Sequence, residues 1–437
     1  MAEGRRLTIL GGGGFRVPLV YGQLLGPDSP ISSVVLYDVS VSRLAAIARV
    51  LAAQATGSAP DISVTTDLTE ALTGADFIFS AIRVHGLAGR VIDERVALDE
   101  GVLGQETVGA GGIAYGLRTL PVADAIARRV ALVAPQAWVI NFTNPAGLVT
   151  EAMAAHLGDR VIGICDSPSA LGRRVTRALG VASARLGYAG LNHLGWLSAV
   201  HADGVDLLPR LLASDEALAS FEEGRLFGAE KLRALGAVPN EYLHYYYKTD
   251  SLVRAELGAA ETRGEFLRRQ QEECYAELAR SADPLATWQA TLRQRDATYM
   301  ALEGLGERDD AEGGGYEAVA LALMTAIATD TPAELILNVR NRGTLEVLDD
   351  DAVVEVPCLV DGSGAHPYPG ASIPAHGAAL VTRIKGVERG VLEAASTGSR
   401  AVAVRAMACH PLVDSVPIAR RLIAEYQRQL PELDYLR

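Results

Sequence analysis

The chain has 437 residues, a formal net charge of −13, 49% hydrophobic residues and 21% charged ones. That acidity excludes a basic nucleic-acid surface and a polybasic membrane patch, and no apolar run reaches the roughly 18 residues needed to span a bilayer. Four widely spaced cysteines (Cys165, Cys274, Cys358, Cys409) form neither a disulfide framework nor a closed zinc pattern, and most are expected as small core residues. Met1–Arg6 carries no apolar signal-peptide segment, so the expected compartment is the cytoplasm.

In chain order, Leu7–Leu10 reads as a strand running into Gly11–Gly14, with a helix starting near Pro18. A second strand, Val34–Tyr37, ends at Asp38 and is followed by a helix over Ser42–Ala53. Phe77–Ile82, Ala137–Ile140 and Val161–Ile164 are further apolar runs of buried-strand type, with helical periodicity over Leu117–Leu132. This alternation predicts an α/β protein with an N-terminal Rossmann-like, doubly wound parallel sheet over residues 1–170. Residues 171–437 change pattern and predict a mixed α+β domain for substrate, metal and oligomerisation. Its elements are a strand or hairpin over Leu186–Asp203, helices near 264–281, 315–329, 386–408 and 416–428, and strands over Glu334–Val339 and Ala352–Val360. The runs Gly109–Gly112 and Gly313–Gly315 read as short loops. Without a linker between the halves, the site is expected between them.

Gly11, Gly12, Gly13 and Gly14, with Phe15, follow the first strand, where backbone must approach a pyrophosphate closely. Asp38 ends the second strand, 27 residues after Gly11, which suits an acidic group binding ribose hydroxyls and favours NAD over NADP. A tight turn with a solvated aspartate is the structural alternative.

Three polar clusters interrupt apolar segments: Asn141–Pro145, Cys165–Pro168 and Asn192-His193. The first two follow predicted parallel strands, and the carboxyl ends of such strands face the ligand crevice. Asn144-Pro145 also serves as a helix entrance. Cys165 alone is an ordinary buried cysteine and His193 alone an ordinary satisfied histidine. Together they are a soft and a borderline donor with open positions, which suits a catalytic divalent ion completed by substrate oxygens. Glu106, Arg83, Arg90 and Arg118 read in isolation as a solvated loop with ion pairs. The segment Tyr242–Tyr247 concentrates tyrosines that serve as core or, beside a metal, as a base.

Several segments carry a family resemblance: Gly11–Gly14, Ile82-Arg83-Val84, Gly104–Thr107, Asn141–Ala146, Ile164–Pro168, Gly190–His193, Tyr242–Tyr246, Asn338–Gly343, Val353–Pro357 and His410–Val413. The chain resembles glycoside hydrolase family 4, the NAD- and divalent-metal-dependent glycosidases, over nearly its whole length. The resemblance implies hydrolysis by oxidation at C3 of the sugar with NAD, removal of the C2 proton, elimination at C1 and addition of water, unlike two-carboxylate glycosidases.

It implies Cys165 and His193 as ligands of Mn²⁺ or another divalent metal. Tyr242 is the implied base, with Tyr246 as the alternative register, and Asp166 stands where α-type members carry an acid. Arg83 joins the glycine loop and Asp38 on the cofactor side. Asn144, Asn192, Arg90 and Arg263 are implied substrate contacts. The tyrosine segment is similar to the 6-phospho-β-glucosidase branch, so a sugar 6-phosphoglycoside is the expected partner, in a homodimer or homotetramer. Two departures stand out: Gly14 replaces the family's serine, with Arg16 nearby, and His85 replaces a glycine. The alternatives are the same mechanism on an unphosphorylated or α-linked glycoside, a lactate- or malate-type dehydrogenase, and a non-catalytic NAD-sensing protein.

Overall fold

The computed structural model describes residues 4–27, 29–57, 59–298 and 315–437. Six parallel strands, β1 (Arg5–Leu10), β2 (Ile31–Tyr37), β3 (Asp61–Thr65), β4 (Phe77–Ser80), β5 (Trp138–Asn141) and β6 (Val161–Gly163), lie in the order β3-β2-β1-β4-β5-β6. This is the doubly wound arrangement, with its switch point between β1 and β4. Helices cover both faces, so the central strands are continuous apolar runs; all four residues of β4 are buried.

The second half extends the same sheet. Its strands are β7 (Arg185–Leu191), β8 (Leu194–Ala202), β9 (Val205–Asp206), β10 (Val238–Pro239), β11 (Ala333–Arg340), β12 (Val353–Asp361) and β13 (Gly364–Pro367). β11 pairs antiparallel with β6 through Asn338 and Gly163, and β12 pairs with β7 through Glu355 and Gly190. The sheet is therefore continuous across residue 170, and one apolar cluster runs from Leu7 and Phe79 to Trp196 and Val356. The predicted hairpin forms, with Asn192-His193 as the two-residue connection of β7 and β8. No helix among the described residues is long and apolar enough to cross a membrane.

Three expectations are corrected. Gly109–Gly112 is not a loop: it opens the helix Gly109–Val133. A Cβ at Gly111 or Gly112 would lie 2.3 or 2.5 Å from the carbonyl oxygens of Gln105 or Thr107, so close packing demands the small residues. The helix expected near 386–408 is two helices, Ala375–Thr397 and Arg400–Cys409. Gly398, at φ +68°, ends the first, and the Ser399 hydroxyl caps the second by accepting the Val402 amide. Arg118 is not solvated; its ion pair with Asp93 is fully buried. Of the Gly313–Gly315 run, Gly313 and Gly314 lie outside the described residues, and Gly315 caps the helix Tyr316–Thr329. Three of the four cysteines are buried as expected, whereas Cys409 is exposed.

Candidate active site

A cavity of about 1240 Å³ opens at the carboxyl ends of the parallel strands, between the two halves. Gly11, Gly14, Phe15, Asp38, Arg83, Arg90, Asn144, Cys165, Asp166, Asn192, His193, Tyr242 and Arg263 all line it. Gly12 and Gly13 do not. The amides of Gly11 and Gly12 both donate to the Tyr37 carbonyl, at 2.9 and 2.7 Å, and Gly13 donates to Asp38 Oδ2 at 3.1 Å. These bonds fold the middle of the loop against β2. Gly11 is the residue that permits the fold, with φ +82° and a would-be Cβ 2.6 Å from the Ala81 carbonyl oxygen. The loop's outward carbonyls are held by the second half: Gly13 by the Tyr275 hydroxyl at 2.6 Å, Phe15 by the Trp288 indole at 2.8 Å and Arg16 by the Tyr316 hydroxyl at 3.2 Å. A Cβ at Gly14 would meet the Gly11 carbonyl oxygen at 2.9 Å, so the loop as built has no room for the family's serine.

Arg83 and Arg90 share one carboxylate. Arg83 donates to Glu106 Oε2 at 2.7 Å, and Arg90 donates to Glu106 Oε1 at 2.6 Å and to Glu94 at 2.7 Å. Burial pushes the Glu106 carboxyl up, but the two guanidinium charges outweigh it and hold it at about 2. Arg83 also lies over the Tyr115 ring, 4.9 Å from its centroid. His85, where the family carries glycine, has φ +63° and pairs with Glu432 at 2.8 Å; that left-handed backbone is the physical reason glycine suits the position.

Sequence reasoning missed a fourth arginine here. Arg295 lines the cavity with Arg16, Arg90 and Arg263. Burial, then the positive charges of Arg16, Arg263 and Arg90, push its guanidinium down to about 9. Arg263 is fixed by Thr298 Oγ1 at 2.7 Å and by the Arg295 carbonyl at 3.0 Å. Four guanidinium groups thus line one cavity, a residue type that suits anions. Nothing in the sequence around Arg295 marks it off from other surface-helix arginines.

The three polar clusters converge on the same cavity. Cys165 leaves β6 just before the helix Ser167–Leu179. Burial, then the charges of Glu355 and Asp166, raise its thiol pKa well above the ordinary value. His193 sits at the hairpin tip with φ +62°, and burial holds its imidazole down at about 4, so it is neutral at pH 7. Its ring stacks on Tyr242. Asn144 Oδ1 is buried and has no hydrogen-bond partner among the described residues. Asn192 donates to Glu355 Oε1 at 3.2 Å, Asn338 to the same oxygen at 2.9 Å, and Tyr188 to Oε2 at 3.0 Å. Burial pushes the Glu355 carboxyl up to about 7. Tyr246 is off the cavity wall, packed on His410, and burial raises its phenol pKa. Among the described residues, no cluster of three or more His, Cys, Asp or Glu gathers to hold a metal; Cys165 and His193 are a two-donor set.

Comparison with known proteins identifies the family. The model of the family 4 glycosyl hydrolases matches residues 6–181, and that of the family's C-terminal domain matches residues 188–413. The chain is 33% identical to a probable 6-phospho-beta-glucosidase of Bacillus subtilis, over 97% of this chain and 96% of that one. It superposes on the Thermotoga maritima 6-phospho-beta glucosidase solved with NAD and glucose-6-phosphate, with TM-score 0.84, 25% identity and 98% of each chain covered. A 6-phospho-alpha-glucosidase from gut microorganisms, in complex with NAD and Mn²⁺, matches with TM-score 0.82, 26% identity and coverage of 98% and 99%. The chain belongs to glycosyl hydrolase family 4.

Proposed function

We propose that the protein hydrolyses 6-phospho-β-glucosides with NAD and a divalent metal, Mn²⁺ being the expected ion. The observation that carries this reading is one cavity that joins the glycine-loop and Asp38 end to Cys165, His193, Tyr242 and the four arginines. The residues fit both groups. Gly11 lets backbone approach where a Cβ would not fit, and Asp38 stands at the end of β2 where ribose hydroxyls bind. A neutral imidazole and a thiol that loses its proton to a cation suit a divalent ion, and Asn144, whose Oδ1 has no partner among the described residues, lines the same cavity. When bound, NAD supplies a reversible hydride acceptor for sugar C3 and the ion polarises the neighbouring oxygens.

In this reading Tyr242 takes the C2 proton and Asp166 serves as the acid at the departing oxygen. Asn144 and Asn192 orient the sugar hydroxyls. Arg90 and Arg263, joined by Arg16 and Arg295, bind the 6-phosphate, which supports a phosphorylated substrate even though the family's serine is absent. The test is hydrolysis of 4-nitrophenyl β-glucoside 6-phosphate with and without NAD and Mn²⁺. Cleavage that needs neither sinks the reading, and net accumulation of NADH points to a dehydrogenase instead. One observation favours the α-linked alternative: Asp166 lines the cavity, and its side chain is not used to cap the helix it precedes. The α-linked phosphoglycoside therefore belongs in the same assay.

A further inference from the structure

Tyr242 is preceded by two polar residues with almost no solvent exposure, Asn240 and Glu241, and each is tied to a different part of the site. Asn240 Oδ1 accepts the Tyr242 amide at 3.0 Å, and its Nδ2 donates to the Tyr188 hydroxyl at 3.4 Å. Tyr188 in turn donates to Glu355, the carboxylate that holds Asn192 beside His193. Glu241 reaches the other way. Its Oε1 accepts the Ser167 hydroxyl at 3.0 Å, and its Oε2 lies 3.5 Å from Arg174 Nη2. Ser167 directly follows Cys165 and Asp166, and Arg174 stands on the helix that Ser167 begins. Arg174 also donates to both oxygens of Glu223, by Nε at 3.0 Å and by Nη2.

This is a costly way to fill a core. Glu222, Glu223 and Glu241 crowd around one guanidinium, and burial raises the Glu223 carboxyl pKa. Buried charges repay their desolvation poorly, and apolar residues of the same volume are often as stable or more so. What such a cluster does provide is registry, because a displaced segment would leave a buried charge without its partner. The proposed elimination needs that registry. A base at C2 and an acid at the glycosidic oxygen must address one sugar, and an error near 1 Å costs on the order of a hundredfold in rate.

We propose that the Ser167–Glu241 hydrogen bond, anchored on Arg174, is a strap holding the segment that carries Cys165 and Asp166 in register with the segment that carries Tyr242. Ser167 and Glu241 are then positioning residues for the elimination. The inference rests on the glycosidase reading above.

The test compares the full-length enzyme with Ser167→Ala and Ser167→Thr on 4-nitrophenyl glucoside 6-phosphate of whichever anomer the wild type cleaves, with NAD and Mn²⁺ present. The readouts are kcat, the isotope effect of deuterium at C2, and NAD affinity by fluorescence titration. Ser167→Ala is expected to lower kcat by about tenfold or more and to enlarge the C2 isotope effect, as proton removal from a misplaced sugar becomes slower. NAD affinity should stay within about twofold, because the Ser167 hydroxyl is bonded to Glu241 and not to the glycine loop, and Ser167→Thr, which keeps the hydroxyl, should recover most of kcat. A kcat for Ser167→Ala within about twofold of wild type, or a loss with an unchanged isotope effect and no recovery in Ser167→Thr, overturns the strap while leaving the glycosidase reading intact. Wild-type inactivity on both anomers overturns the glycosidase reading and the strap with it.

Discussion

The imidazole of His193 lies flat on the phenol ring of Tyr242, with centroids 3.7 Å apart and planes within 6°. The contact joins a residue at a hairpin tip in the left-handed backbone region to one at the start of the helix Leu243–Tyr247. Strained non-glycine positions of this kind persist where surrounding structure over-determines them, and they cluster at functional sites. The stack separates two roles of Tyr242. Tyr242→Phe keeps the ring and its stack on His193 and should leave NAD titration unchanged. Its kcat should fall by a factor of about 10²–10⁴, the usual contribution of a positioned base. A kcat near wild type would remove Tyr242 as the base.

The arginine wall gives a second prediction. Arg295→Ala removes a guanidinium from the cavity but keeps the backbone carbonyl that anchors Arg263. A hydrogen bond to a charged group contributes about 1.5–3 kcal/mol, or roughly 10- to 150-fold in kcat/KM. That loss should appear with the phosphorylated glycoside and nearly vanish with its unphosphorylated twin. Equal losses on both would show that Arg295 supports the site without meeting the phosphate.

At the other end of the cavity, Gly11→Ala should weaken NAD binding and lower the thermal midpoint together. An alanine there adopts a left-handed backbone at a cost of about 1–2 kcal/mol. Its Cβ also displaces the Ala81 carbonyl 2.6 Å away, two residues before Arg83. Calorimetry with and without NAD reads both effects. A normal midpoint with normal NAD affinity would mean that the loop takes another path.

The apolar runs made the parallel sheet legible, because strands buried on both faces carry no other signal. The polar residues ending those runs stood out against them, so Asn144, Cys165 and Asp166 could be named as cavity residues in advance. The supports behind them could not. Ser167 meets Glu241 74 positions away, and Tyr188 meets Glu355 167 positions away; neither helix nor strand periodicity links such partners. Gly109–Gly112 misled for a different reason. Glycine marks both a flexible turn and a close backbone approach, and composition does not distinguish them. Arg295 was hidden because its importance lies in its three neighbouring arginines, which only the fold brings together.

The Glu106 bridge predicts a particular pH dependence. Burial alone would raise this carboxyl, yet Arg83 and Arg90 hold it at about 2, against an ordinary value of 4.5. A carboxyl whose folded pKa is depressed stabilises the fold fully above its unfolded pKa. That contribution is lost as pH falls through the folded value. The window therefore runs from about 4.5 down to about 2. At about 1.36 kcal/mol per pH unit, the shift corresponds to about 3 kcal/mol. Glu106 is largely shielded, its side chain 15% exposed, so solvent screens the pair only modestly. Glu106→Gln should be less stable than wild type by about that amount at pH 7, with the gap closing steadily below pH 4.5. Groups common to both proteins cancel in the difference, so paired urea or thermal melts from pH 7 to pH 2.5 isolate the bridge. A gap that stays constant across that range would mean that Glu106 acts through packing, with its charge contributing nothing.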